Sequence, residues 1–236
     1  MILNDCAVVL MRRDTGESDR WAWLLTQAHG KLSVRFGGVN RPLGKLKALS
    51  EPAVWGEYRL YFSPRTAAVR VVGGRILSTF PDLRADLPRT FSAFSLCEMA
   101  MNLAPERQPC AEEYRLLSQA LCVLDQGASP WLEAAFGLKL LACSGYSLKD
   151  LPVPPAQQGL WRALHATPLA GLAGVPWDAA AGRRFLQVVY DHVEEHGQRA
   201  LRARAVADRS GRMAAAIAAG SPADPDGARC QGASPC

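Results

Sequence analysis

The hydrophobic pattern of this 236-residue chain changes its period near residue 80, and this change constrains the fold more than any other feature. Before that point, short apolar runs are separated by turn-forming residues. The segment 31–36, for example, alternates Leu, Val and Phe with polar side chains, which is typical of a half-buried strand. After that point, apolar residues recur at helical spacing. The pattern therefore predicts a β-rich part followed by a helical part.

Five strand-like runs lie in the first 80 residues, which is the strand number of a small closed or partly open barrel. The five-stranded OB-fold is the barrel of this size that most often binds nucleic acids, and an SH3-like barrel fits nearly as well. The predicted strands cover residues 4–12, 21–26, 31–36, 58–62 and 67–72.

Amphipathic helices are predicted over residues 87–103, 112–124, 131–143 and 179–196. Ser129 and Pro130 suit the N-cap and the first position of the third helix. Prolines and glycines break up residues 151–177, so we expect short helices there. The fold class is thus α+β and multi-domain: an OB-fold over residues 1–79, a helical domain over 80–207 and a disordered tail over 208–236.

Composition narrows the class of protein. Apolar residues make up 49% of the chain and the mean hydropathy is −0.03, and no apolar stretch is long enough to span a membrane. The first residues lack the basic and apolar segments of a signal peptide. Seven cysteines without a Cys-x-x-Cys pair indicate neither a disulfide framework nor a zinc knuckle. We expect a cytoplasmic protein with no membrane contact, no metal and no cofactor.

Positive charge is concentrated in the predicted barrel. Residues 1–80 hold twelve Lys and Arg against six Asp and Glu, and no acidic residue lies between Asp19 and Glu51. Such a block is typical of a protein that binds a polyanion, although a solvated basic face is an equally good interpretation of charge alone. The block predicts a DNA-binding surface made of Arg20, Lys31, Arg35, Arg41, Lys45 and Lys47.

Catalytic motifs are nearly absent. His192 and His196, with Glu195 between them, have the H-x-x-E-H spacing in which two imidazoles bind zinc on a helix. Gly197 is expected to end the helix there, which would leave the second ligand on a frayed turn. A zinc hydrolase is therefore the weakest hypothesis, and we expect no enzymatic activity.

Several short motifs resemble the RecO family of DNA repair and recombination mediator proteins. Residues 12–19 read RRDTGESD and are followed by Leu25-Thr26 and by HGKL at residues 29–32, as in the family's opening segment. Later matches are Gly145-Tyr146, His196-Gly197 and LRAR at residues 201–204. The resemblance spans about residues 4–205.

This resemblance implies an OB-fold that binds single- and double-stranded DNA, joined to a helical domain that binds protein partners. The implied partners are RecR, the C-terminal tail of single-stranded DNA-binding protein and, indirectly, RecA at the nucleoid. The implied activity is strand annealing and help in loading RecA. Candidate contacts for the tail are Lys139, Arg202 and Arg204.

The chain also departs from the family's pattern. No cysteine follows Gly145-Tyr146, where many members carry a four-cysteine zinc module. The helix that usually reads R-F-E-L has Ala135-Phe136-Gly137-Leu138, which lacks the cation and contains a helix-weakening glycine. An alternative hypothesis is a protein-interaction adaptor of the same fold with little affinity for DNA.

Overall fold

The computed structural model describes residues 1–41, 46–127, 129–146, 157–197, 200–203 and 206. Its N-terminal part is a closed barrel in which the strands neighbour one another in the order β1-β2-β3-β5-β4. This is the five-stranded OB-fold that the sequence predicts. The strands are β1 (Ile2–Thr15), β2 (Asp19–Thr26), β3 (Gly30–Phe36), β4 (Trp55–Phe62) and β5 (Val69–Ser78).

Alternation along the strands fills the barrel. In β2 and β3, even-numbered residues such as Ala22, Leu24 and Val34 point into the barrel core and are fully buried. Odd-numbered residues of these strands point outward. All strand pairs are antiparallel except β3 with β5, which run parallel over Val34 to Phe36. The outer side of β2, β3 and β4 is therefore made of odd-numbered residues. The outer side of β5, which lies between β3 and β4, begins with the even-numbered Arg70 and Val72.

Helices follow the barrel directly. A 3-10 turn, Leu169–Gly174, lies between the fifth and the sixth helix. Asp86 caps the second helix by accepting a hydrogen bond of 3.0 Å from the Arg89 backbone N–H. The helices are α1 (Pro81–Ala85), α2 (Leu87–Leu103), α3 (Ala111–Gln126), α4 (Leu132–Cys143), α5 (Gln158–Ala166) and α6 (Ala179–Gly197).

Helix α4 is the centre of the helical part. Among its residues, only Glu133, Lys139, Ala142 and Cys143 have side chains that reach solvent to an appreciable extent. Gly137 has a packing role there, because a Cβ at this position would clash with Val189 of α6 and approach Met99 of α2 at 3.1 Å. The glycine that weakens the helix on its own thus allows three helices to approach closely.

The helices cover one end of the barrel's outer surface. Val8 and Leu25 point away from the barrel interior and belong to the same buried cluster as the helical core. Trp55 Nε1 donates a 2.9 Å hydrogen bond to the Tyr114 hydroxyl of α3. At the start of β3, the Lys31 N–H donates to the Pro105 carbonyl, and the Lys31 carbonyl accepts from the Arg107 N–H, both at 3.1 Å. The outer side of the barrel and the helices therefore share one hydrophobic cluster, which is separate from the cluster inside the barrel.

Within the described ranges, no helix combines the length and the apolar character needed to cross a bilayer. The predicted disordered tail, with Cys230 and Cys236, lies outside the described residues. Five cysteines are described and none is in a disulfide.

Candidate nucleic-acid interface

The basic block of the sequence divides into buried and exposed residues, and Arg20 is among the buried ones. Its side chain points into the barrel end and is only 2% exposed. The guanidinium donates to Asp14 at 2.7 Å, to the Ser50 hydroxyl at 2.7 Å and to Glu51 at 2.8 Å. Arg20 thus ties the β1–β2 hairpin to the segment after β3, and a phosphate cannot reach it. Its assignment to the DNA-binding surface is corrected accordingly.

Lys31 does not reach the surface either, although it lies on the side of β3 that alternation predicts. The residue is on the outer side of the strand, but the helices cover this position and leave it 8% exposed. Its Nζ donates a 2.7 Å hydrogen bond to the Met101 carbonyl in the last turn of α2. A lysine at this end of a helix also interacts favourably with the helix dipole. Lys31 therefore joins the barrel to α2, and its assignment to a DNA-binding face is corrected as well.

The other described residues of the block are on the surface. Arg35 and Arg41 are exposed, and so is Lys47, which precedes the 3-10 turn Ala48–Ser50. Lys45 lies outside the described residues. Three of the six predicted cations thus lie on the surface of the described barrel.

Strand register extends this surface with residues that the sequence analysis did not select. Directly opposite pairs run across four strand boundaries, and because opposite residues share a face, they form one transverse row on the outside of the barrel. Arg70 also lies over the Tyr61 ring, with 4.9 Å from its guanidinium carbon to the ring centroid. We call this the outer row; its members are Arg13, Trp21, Arg35, Arg70 and Tyr61.

Asp19 is the acidic residue next to the outer row. Its carboxylate accepts a 2.8 Å hydrogen bond from the Gly38 N–H and a 2.9 Å hydrogen bond from Arg35 Nε. The Gly38 hydrogen bond and then the Arg35 guanidinium hold the pKa of Asp19 below its usual value. The Arg35 side chain is half exposed, so its guanidinium is preorganised by a carboxylate and still accessible.

Two clefts meet beside the outer row and share Arg13 and Trp23. One, of about 500 Å³, extends past Gly16 and Trp21. The other, of about 580 Å³, lies between β1, β2 and α2 and reaches Met101 and Arg202. Glu98 and Asp14 also line these clefts, so their charge is mixed. We call the combined feature the tryptophan groove; it is defined by Arg13, Trp21, Trp23 and Arg202.

The two described candidate cations for partner binding, Lys139 and Arg202, line different clefts. Lys139 donates a hydrogen bond to the His165 carbonyl, and burial lowers the pKa of its ammonium group. Arg202 lies in the tryptophan groove, next to the barrel. Arg204 lies outside the described residues. The position where the family usually has a cation before Phe is occupied by Ala135, which is fully buried.

The described residues contain one group with the chemistry of a metal site. His192, Glu195 and His196 each offer a ligand atom, and these atoms lie within 4.8 Å of one another. Helix α6 ends at Gly197, as the sequence predicts.

Comparison with known proteins agrees with the resemblance seen in the sequence. Residues 1–80 match the family model "Recombination protein O N terminal", and residues 84–149 match "Recombination protein O C terminal". The two models meet close to the junction between β5 and α1. Together they account for the whole barrel and for the helices up to α4.

Curated relatives carry the name DNA repair protein RecO. The protein of Pelotomaculum thermopropionicum is 31% identical over 140 residues, which are 59% of this chain and 54% of the relative. That of Myxococcus xanthus is 33% identical over 144 residues, or 60% and 58%. That of Heliobacterium modesticaldum is 30% identical over 175 residues, or 71% and 63%. The matches thus cover between 54% and 63% of the length of these relatives. On the two family models together, the chain belongs to the RecO family.

Proposed function

We propose that this chain is a recombination mediator that binds single- and double-stranded DNA through the outer row and the tryptophan groove, and acts in recombinational DNA repair. The observation that carries the proposal is the alignment of three arginines and two aromatic rings across the barrel by strand register. Arginine side chains neutralise phosphates, and aromatic rings provide stacking surfaces for unpaired bases. The names of the relatives support the repair context.

Charge placement supports the path of the DNA backbone. Arg35 and Arg70 are direct neighbours on the parallel β3–β5 pair, and both are exposed. The barrel part also has other exposed cations, which are Arg41, Lys47 and Arg59. Each phosphate that these residues contact would release condensed counterions, so the affinity should fall steeply with salt.

The two tryptophans favour contact with unpaired bases. Trp21 and Trp23 are two residues apart on the outer side of β2, which separates them by about 7 Å along the strand. This distance is about twice the 3.4 Å rise per base of a stacked strand, so two tryptophans could each contact an alternate base. Both are partly buried, and Trp23 also packs against the helical core.

The helical domain, which we propose spans residues 80–207, would hold the protein partners. Annealing of complementary strands, binding of RecR and of the single-stranded DNA-binding protein tail, and help in loading RecA belong to this proposal. Since α4 is largely enclosed by other helices, a partner at that helix would contact Lys139 and the cleft beside it. Arg202 offers a second cation, at the groove.

The test is a salt titration of DNA binding. A fluorescently labelled oligonucleotide, single-stranded and then as a duplex, is titrated with the wild type, with the double variant Arg35→Ala/Arg70→Ala and with Arg115→Ala. Arg115 is an exposed arginine on α3, so its replacement removes charge without touching the barrel. For the single strand, the slope of log affinity against log salt should become shallower by about 1.4 in the double variant, or about 0.7 per lost phosphate contact.

Either of two results would contradict the proposal. Salt-independent or absent binding by the wild type would favour the adaptor hypothesis, in which the fold is kept without DNA affinity. A loss in Arg115→Ala that is half of the loss in the double variant, and so equal for each charge removed, would mean that net charge, and not the outer row, controls binding.

A further inference from the structure

The last turn of α6 brings together three side chains that are common metal ligands. His192, Glu195 and His196 follow the helical spacing i, i+3 and i+4, so they lie on one face. Their ligand atoms are within 4.8 Å of one another, and His192 Nδ1 is 3.9 Å from a Glu195 carboxylate oxygen. In a tetrahedral zinc site with bonds of 2.0–2.1 Å, ligand atoms are about 3.3 Å apart. The Glu195 side chain is exposed, so its carboxylate can rotate toward the two imidazoles.

Neighbouring elements hold this turn in place. The Tyr146 ring, which follows α4, stacks on the His196 ring with 3.9 Å between centroids and 20° between planes. His192 meets His196 edge to face at 5.0 Å. Gly197 fits so closely against Asn102 of α2 that a Cβ there would clash. The second histidine is therefore on a packed turn and not on the frayed one that the sequence suggested.

The electrostatic environment favours a cation. The carbonyl end of a helix carries partial negative charge, and these ligands are in the last two turns of α6. Residues 191–197 read DHVEEHG, so three acidic side chains and no Lys or Arg lie along them. The Glu194 carboxylate accepts a 2.8 Å hydrogen bond from the Leu201 N–H. Glu195 is therefore the carboxylate that points to the histidines.

We propose that His192, Glu195 and His196 form a binding site for a divalent transition-metal ion of the zinc type. Two neutral imidazoles and one carboxylate are a ligand set that suits Zn²⁺, with water in the remaining position. Because Tyr146 stacks on one ligand, bound metal would fix the end of α6 against the segment that follows α4. The site is a structural clamp that is independent of DNA binding by the barrel, and it requires no reaction.

The experiment is calorimetric titration of the full chain, kept reduced, with Zn²⁺, with Co²⁺ as a spectroscopic substitute and with Mg²⁺ as a hard cation that imidazole does not favour. The variants are His192→Ala, His196→Ala and Glu195→Gln. His165→Gln is the matched control, because His165 is an exposed histidine outside the cluster. Far-ultraviolet circular dichroism without metal verifies that each variant is folded.

We expect one equivalent of Zn²⁺ to bind and to raise the thermal midpoint of the wild type and of His165→Gln. Either histidine variant should bind at least tenfold more weakly, and Glu195→Gln should also lose affinity, while Mg²⁺ does nothing. Absence of Zn²⁺ binding by the wild type, or full retention of it in His192→Ala and His196→Ala, would overturn the proposal.

A second measurement needs no variant. The chain has four histidines, so Co²⁺ should shift the ring proton resonances of two of them, His192 and His196, and leave those of His29 and His165 in place. The cobalt spectrum should also lack sulfur-to-metal charge transfer. Shifts at the other two rings, or a thiolate spectrum, would assign the metal to another site and overturn the proposal.

Discussion

The two ends of β3 carry the same kind of side chain on the same side of the strand, and the structure uses them differently. Lys31, at the beginning, lies under α2 and donates to a carbonyl of that helix. Arg35, four residues later, is half exposed and pairs with Asp19 at the surface. The first cation is part of the contact between barrel and helices. The second belongs to the outer row.

This difference shows that a basic stretch of sequence predicts a basic surface only when the neighbouring elements are known. Alternation predicts that odd-numbered residues of β3 point away from the barrel core, and they do. It does not tell whether solvent or a helix meets them there. We call the two regions the covered end, around Gly30 and Lys31, and the open end, around Arg35 and Gly37.

The largest expected effect is the loss of stability when a single methyl group is added at the covered end. Gly30 has φ of +71°, and a Cβ there would collide with the Gln108 backbone. We expect Gly30→Ala to lower the free energy of unfolding by more than about 3 kcal/mol, because both the backbone conformation and the packing oppose it. Thermal or urea unfolding measures the change.

Gly37→Ala is the matched control at the open end. No atom outside the adjoining residues lies within 4 Å of the Cβ that it would add, and the backbone φ of Gly37 is not in the left-handed region. The free energy of unfolding should stay within about 0.5 kcal/mol of the wild type. Similar losses for both variants would mean that the covered end is no more tightly packed than the open end.

The next prediction compares a variant that should lose stability with a variant that should lose DNA affinity. Lys31→Met keeps most of the aliphatic stem but removes the hydrogen bond to the Met101 carbonyl, so unfolding should become easier by about 2 kcal/mol. Its salt dependence of DNA binding should equal that of the wild type. Arg35→Ala should do the reverse, with a stability change within about 1 kcal/mol and a slope shallower by about 0.7 on a single strand.

Urea unfolding and DNA titration of both variants test this prediction. A weaker salt dependence in Lys31→Met, in a protein that is still folded, would show that the covered end contacts DNA after all. Such a result would break the distinction between the two ends.

Much of the fold could be predicted from the sequence because the elements depend on local patterns. Period-two runs mark the barrel strands, and the prediction of residues 87–103 as a helix coincides with α2. Residues 131–143 and 179–196 come within one residue of α4 and α6. The second half of β5 was missed, because Gly73 and Gly74 normally end a strand, whereas here they pair with β4. Their lack of side chains suits the close approach to Glu57 and Leu49 at Gly74.

The candidate site was less predictable because it depends on contacts between distant segments. Nothing local in the sequence places Arg70 beside Arg35, since that pair comes from the parallel register of two strands more than thirty residues apart. The alternation of Arg70 between Val69 and Val71 was the available signal for an outward arginine. Burial of Arg20 likewise depends on Ser50 and Glu51, thirty residues further along the chain.

The smallest expected effect concerns the carboxylate that holds Arg35. In Asp19→Asn the side chain can no longer form an ion pair with the guanidinium, which becomes freer to contact a phosphate. Because an exposed ion pair contributes little, we expect DNA affinity at low salt to rise by about two- to threefold. The same variant should be less stable than the wild type at neutral pH, since a charged carboxylate accepts the Gly38 N–H more strongly than the neutral amide oxygen of asparagine does.

The pH dependence of that stability difference follows from the direction of the Asp19 pKa. Its pKa is lower in the folded chain than the usual 3.8, so the unfolded chain binds the proton more readily. The stabilisation by Asp19 is therefore complete above about pH 4 and is lost as the pH falls through the lower, folded value. Thermal unfolding between pH 7 and pH 3 should show the wild type converging on Asp19→Asn in acid. A constant difference over this range would mean that the carboxylate charge does not hold the open end in place, and that Arg35 is positioned by the strand alone.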